Sequence, residues 1–261
     1  MAESYETHAK GIRILPGQWR PHYRFEQIAW VSPPWPSQDY VWLDFPEAIF
    51  SSVGLIYLSH VNPDFPVLFP DLPRRPWQTD ERGISYERTL PDGLAFGGSV
   101  RPGDGSTVAL SFHILNGSGR PIENIMLQTC AYLRGIKEFS DFTLANKFVH
   151  LPQSGWLPFD QAEGRQEPGS FHLGWRGGLP SADLPVMVAT SNQAQRLVAM
   201  TWYASTFSLV ANPDHPCMHA DPLIPELGPG QRKEIRGELI FFEGTLEAFG
   251  GWFSERWECR A

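Results

Sequence analysis

Thr107-Val-Ala-Leu-Ser-Phe-His-Ile-Leu115, then Asn116-Gly-Ser-Gly119, then Ile122-Glu-Asn-Ile-Met-Leu-Gln-Thr-Cys-Ala-Tyr-Leu133, sets the class of the fold. In the first run Val108, Leu110, Phe112 and Ile114 alternate with smaller or polar residues, the period of a strand with one buried face. Asn-Gly-Ser-Gly supplies the positive backbone angles of a tight turn. In the second run Ile125, Leu127, Thr129 and Ala131 share one face, which leaves Met126, Gln128, Cys130 and Tyr132 for the other. A long antiparallel hairpin is the expected result.

The same reading extends outward. Residues 40–46, 48–59, 84–90, 94–100, 186–190, 197–203 and 234–242 are rich in aromatic and β-branched residues, with turns at 91–93 and 102–105. Residues 61–82 carry prolines at 63, 66, 70, 73 and 76 among Phe65, Phe69 and Trp77. Proline removes ladder donors, so this stretch is expected to be a loop outside the regular sheet, with those three rings buried against it. Only residues 245–257 read as a helix, with Thr245 as N-cap and Leu246, Phe249, Phe253 and Trp257 on one side. Gly250 and Gly251 weaken it. Many short strands and one terminal helix predict an all-β fold, a large sandwich or a double-stranded β-helix.

Composition narrows the function. The 261 residues carry a net charge of -8 and show no basic stripe, which excludes nucleic acid as the expected partner. The apolar runs are too short for a membrane span. Cys130, Cys217 and Cys259 are too few for a disulfide framework, and residues 1–11 show no secretory pattern. The expectation is a cytoplasmic protein with one domain over residues 12–261 and a flexible tail over 1–11; its oligomeric state is not written in the sequence.

The densest chemistry lies in Asn212-Pro-Asp-His-Pro-Cys-Met-His-Ala-Asp-Pro222. If this proline-stiffened loop is extended, His215, Cys217 and His219 point to one side and can hold a metal or orient an acid and a base. Asp221 can hold one nitrogen of His219 while the other faces a ligand. His60 ends an apolar strand beside Asn62 and Asp64. His113 and His150 can line the same surface. The flat rings of Trp156 and Trp175 suit sugar stacking, and Arg101 suits a carboxylate.

Three stretches together bear a family likeness: Leu55-Ile-Tyr-Leu-Ser-His-Val-Asn-Pro63, the hairpin over residues 108–124, and Leu227-Gly-Pro-Gly-Gln-Arg-Lys-Glu-Ile-Arg-Gly237. The last resembles the Pro-Gly-x-then-strand element near the end of galactose mutarotase-like β-supersandwich proteins. Uncharacterised bacterial proteins of that superfamily share a Cys-x-His-x-Asp-Pro segment, here residues 217–222. The resemblance implies a β-supersandwich with one short C-terminal helix that binds a carbohydrate or sugar acid. Aldose epimerases of the group carry an Asn-His motif for the acid and a C-terminal glutamate for the base. This chain has no such motif, and Glu238 or Glu243 would have to serve as the glutamate. The expected function is therefore a carbohydrate-active enzyme of epimerase or lyase type in which His219 and His60 shuttle protons, with Glu87 as reserve base. The alternatives are a non-catalytic carbohydrate-binding module and a cupin-like enzyme whose divalent metal sits on His60, His215 and His219. His60 and His219 are expected to converge at one rim of the sheet.

Overall fold

The computed structural model describes residues 11–162 except 21, 24, 61 and 63, residues 173–174, and residues 182–260 except 194. Residues 1–10 of the expected tail over residues 1–11, and the candidate Trp175, lie outside these. In chain order the strands are β1 (Ile14–Gly17), β2 (Ile28–Val31), β3 (Val41–Ser51), β4 (Gly54–Leu58), β5 (Gln78–Asp80) and β6 (Gly83–Thr89). Then come β7 (Ala95–Pro102), β8 (Thr107–Leu115), β9 (Ile122–Tyr132), β10 (Lys147–Leu151), β11 (Gly155–Pro158) and β12 (Leu173–Gly174). The series ends with β13 (Val186–Thr190), β14 (Arg196–Trp202), β15 (Thr206–Ala211), β16 (Cys217–Leu227), β17 (Arg232–Glu243) and the helix α1 (Leu246–Arg260).

These strands form two antiparallel sheets. An 8-stranded sheet runs β1-β2-β3-β9-β16-β15-β12, with β4 also on β3; a 9-stranded sheet runs β11-β10-β13-β14-β17-β8-β7-β6-β5. The 107–133 hairpin is thus split: β8 belongs to the second sheet and β9 to the first. Its alternation places both strands correctly all the same. Val108, Leu110, Phe112 and Ile114 meet Ile125, Leu127 and Ala131 in the core between the sheets. The all-β expectation with one C-terminal helix holds.

On the 9-stranded sheet the outward face of β13, β14 and β17 is apolar, through Val186, Val188, Leu197, Ala199 and Ile240. Helix α1 covers it with Phe249 and Phe253. The Thr245 hydroxyl accepts from the Ala248 amide at 3.2 Å, the N-cap expected from the sequence. Gly250 has a packing reason, because a Cβ there would come within 2.9 Å of Trp156. Among the described residues no helix is long and apolar enough to cross a membrane.

Three sequence expectations are corrected. Residues 61–82 are not wholly outside the sheet, since β5 pairs with β6 at the edge of the 9-stranded sheet. Within that segment Trp77 packs on the core and its indole donates to the Ile28 carbonyl at 2.9 Å, while Phe65 is 54% exposed. The indole has a carbonyl to satisfy it; Phe65 lies where its amide closes a turn onto the Asn62 carbonyl at 3.1 Å. Residues 217–222 are not a loop but the first half of β16. Its ladder with β9 is made at Cys217, Met218 and again from Leu223, so Pro222 costs no bond to β9. Finally, β3 runs unbroken through Pro46, which lies within a bulge where the register shifts between Asp44 and Ala48.

Candidate functional site

That bulge builds the site. Asp44 pairs with Cys130 and Ala48 with Gln128, so Phe45, Pro46 and Glu47 together oppose Thr129. Phe45 turns into the core, whereas Asp44 and Glu47 serve the face of the 8-stranded sheet directed away from its partner. On β9 the outward set is Gln128, Cys130 and Tyr132. On β16, Met218 and Ala220 enter the core, which leaves Cys217, His219 and Asp221 outward. Alternation on three adjacent strands therefore gathers carboxylates, thiols and an imidazole on one face.

The segment between β1 and β2 lies over this face as a strap. Trp19 stacks on Tyr132, with ring centroids 4.3 Å apart, and tilts against Trp42. Arg20 lies 4.2 Å above the Trp19 ring. Its guanidinium reaches Glu26 at 2.6 Å and Asp44 at 2.8 Å. Tyr23 brings its ring beside His60, with centroids 6.4 Å apart. The Ser59 hydroxyl donates to Asp44 at 2.6 Å. Among the described residues, Asp44 Oδ1 and Glu47 Oε2 receive no hydrogen bond.

His219 is 3% exposed. Its Nδ1 stands 3.6 Å from Glu47 Oε2 and 3.4 Å from Gln128 Nε2. Glu47 in turn belongs to a second group: ligand atoms of Asp44, Glu47 and His60 all lie within 4.8 Å of one another. His219 and His60 therefore flank one carboxylate. Asp221 accepts from the Ser208 hydroxyl at 2.7 Å. Beneath His219, donor atoms of Cys130, Cys217 and His219 also cluster within 4.8 Å. The exposed His215 reaches back, with Nδ1 3.7 Å from Cys217 Sγ.

Burial and charge set the ionisation of these groups. Burial pulls the His219 imidazole down, but Cys217, Glu47 and Asp221 together outweigh it and push it up to about 10. Burial and the Arg20 charge instead pull His60 down to about 4. Burial raises Glu47, partly offset by His219. Burial and Glu47 hold Asp44 well above the usual carboxylate range despite Arg20. A hydrogen bond from Cys130, with further ones from His215 and His219, holds the Cys217 thiol well below its ordinary value. At neutral pH one histidine of the site is cationic and the other neutral.

The other sequence candidates lie elsewhere. Glu87 and His113 face each other at 3.0 Å on the outward side of the 9-stranded sheet. Arg101 pairs with Asp80 at that sheet's edge. His150 bonds Asp183 at 2.6 Å and meets Trp156, which packs on Phe249 of α1. The groove expected to gather His60, His113, His150 and His219 is divided between the two sheets. The expected metal triad is likewise divided: His60 joins Asp44 and Glu47, while His219 joins the two cysteines. Arg20, Asp44, Glu47 and Cys130 were not among the sequence candidates, although Cys130 and Gln128 had been placed on the correct face.

No protein-family model matches the chain, and no curated protein matches it. Among solved structures, the chain is similar to the Slr1438 protein from Synechocystis sp. PCC 6803, with a TM-score of 0.48, 9% identity, and coverage of 91% of this chain and 98% of that one. It is also similar to a GalM/aldose epimerase homologue from C. elegans, with a TM-score of 0.48, 10% identity, and coverage of 90% and 100%. A galactose 1-epimerase from Lactobacillus acidophilus NCFM gives a TM-score of 0.45 at 9% identity, with coverage of 90% and 100%. Likenesses at this level assign no role to any residue here.

Proposed function

We propose that the outward face of the 8-stranded sheet is a proton-transfer centre for a sugar or sugar acid, of the epimerase or isomerase kind. The observation that carries this reading is the position of Glu47. It stands between His219, 3.6 Å away, and the half-buried His60. Epimerisation requires one group to take a proton and another to return one, both within reach of the same substrate atoms. Glu47 and His60 fill those roles, and the charge of His219, 3.6 Å from Glu47 Oε2, draws that oxygen inward without a hydrogen bond. The half-buried Tyr23 ring beside His60 supplies an apolar surface next to the carboxylates that suits a pyranose.

The test is a panel of aldoses, ketoses and uronic acids in deuterated buffer, followed by proton NMR for anomer interconversion and for deuterium incorporation at carbon. The wild-type chain should accelerate one of these. Glu47→Gln and His60→Asn should each lower kcat at least ~100-fold with little change in KM, the size expected for loss of a general acid or base. Sugar binding without turnover would make the protein a binding module. Full turnover by Glu47→Gln would remove Glu47 from the chemistry.

A further inference from the structure

The paired cysteines under His219 have no part in that proton transfer. Cys130 and Cys217 are both free and buried, and His219 is buried with them. Their Sγ and ring-nitrogen atoms lie within 4.8 Å of one another, close to the edges of a tetrahedral ligand set. Cys217 and His219 share a face by strand alternation, and Cys130 reaches them from the neighbouring strand β9. The backbone ladder between β9 and β16 is made on either side of His219 and skips it, which leaves the middle of the pair open.

The surroundings fit a cation. Glu26, Asp44, Glu47 and Asp221 bring four carboxyl groups to this face beside two cations, the guanidinium of Arg20 and the imidazolium of His219. A divalent ion would offset that excess of negative charge in a place that water screens poorly. Histidine ligands commonly direct their second ring nitrogen to a carboxylate, which fixes the ring. Here Nδ1 of His219 faces Glu47 and Gln128, and Nε2 is the atom left for an ion. The exposed His215 stands outside this set of three, with Nδ1 3.7 Å from Cys217 Sγ, so the fourth position is left to solvent or another ligand.

We propose that Cys130, Cys217 and His219 bind one thiophilic divalent cation of the zinc class. Sulfur ligands favour zinc over magnesium or calcium, and the absence of a second paired ligand set separates the site from a zinc finger. Binding releases two protons to solvent, the thiol proton of Cys130 and the Nε2 proton of the cationic His219. The ion would hold β9 to β16 where their ladder opens and would fix the imidazole that faces Glu47.

The test uses the full chain carrying Cys259→Ser, which removes the exposed third thiol. After treatment with a chelator it is titrated with cobalt(II) and, separately, with zinc by calorimetry. One equivalent of cobalt should produce a thiolate-to-metal charge-transfer band, and one equivalent of zinc should displace it and raise Tm. Cys130→Ser and Cys217→Ser should each weaken zinc binding at least ~100-fold and diminish the band. The idea is overturned if the starting chain shows no stoichiometric binding or no sulfur band. It is overturned equally if a folded chain lacking both cysteines keeps its affinity. If a serine variant does not fold, the cobalt spectrum of the starting chain still decides. The readout is binding, so failure here leaves the sugar reading standing, and failure of turnover leaves this one standing.

Discussion

Arg20 shows how much of the site depends on one side chain from outside the sheet. Glu26 and Asp44 have side chains that are 2% and 1% exposed, and both lean on its guanidinium. Removing one partner of a buried ion pair leaves the other charge unscreened, at a cost of about 3–5 kcal/mol. Arg20→Met should lower the urea midpoint accordingly, and Arg20→Lys should recover only part, because an ammonium cannot reach both carboxylates as a planar fork does. Equal midpoints for wild type and Arg20→Met would mean that the strap is not what holds those carboxylates. The sequence gives little sign of this. Arg20 lies between Trp19 and Pro21 in a stretch without period, and Asp44 and Glu47 look like polar interruptions of an aromatic strand. Their shared direction follows from a bulge that sets three residues against one, which alternation alone would not have predicted. Cys217 and His219 were legible because two residues apart on any strand means one face. Cys130 was placed on the right face, but nothing in the sequence joined it to Cys217.

At the scale of elements, β8 and β9 are legible from their period of two, whereas the short strands β10 and β15 give too few residues for a period and β16 is hidden by its prolines. β16 contains Pro222 and Pro225, and its first half, residues 217–222, falls in the stretch that reads as a proline-stiffened loop. Proline forbids a ladder bond at its own nitrogen only, and the chain keeps strand direction where the neighbour's ladder is already interrupted. The proline-rich segment before β5 shows the converse, with few ladder bonds and mixed burial. Helix α1 was legible from its N-cap and apolar stripe, and it allows a graded test. Phe249 is fully buried against the sheet, so Phe249→Ala should cost about 3–5 kcal/mol. Thr245→Ala should cost about 1 kcal/mol through loss of the cap. Phe65→Ser, at an exposed turn, should stay within about 0.5 kcal/mol. Chemical denaturation of the three variants checks the order. A Phe65 variant as damaging as the Phe249 one would mean that the exposed ring is covered in solution.

The whole molecule separates two polar faces that the sequence could not tell apart. Sandwiched sheets pack about 10 Å apart, so groups on their opposite outward faces are farther apart than any shared hydrogen-bond network can span. Glu87 and His113 form their own pair beyond the core of Tyr86, Phe96 and Phe112, while Glu47, His60 and His219 lie beyond Phe45 and Ile49 on the other side. Substitutions this far apart, with no partner in common, should act independently. Glu87→Gln and His113→Asn are therefore expected to leave turnover of the responsive sugar within about twofold of wild type, on the additivity expected of distant sites. The same changes combined with Glu47→Gln should add nothing to its loss. Both single variants should also remain stable, since an exposed carboxylate and its histidine partner contribute little to folding. Steady-state rates for wild type, the three single variants and the two double variants, with the zinc titration run alongside, check this. A large loss in Glu87→Gln with normal rates in Glu47→Gln would move the reaction to the 9-stranded sheet. The aromatic strap and the bulge would then need another purpose.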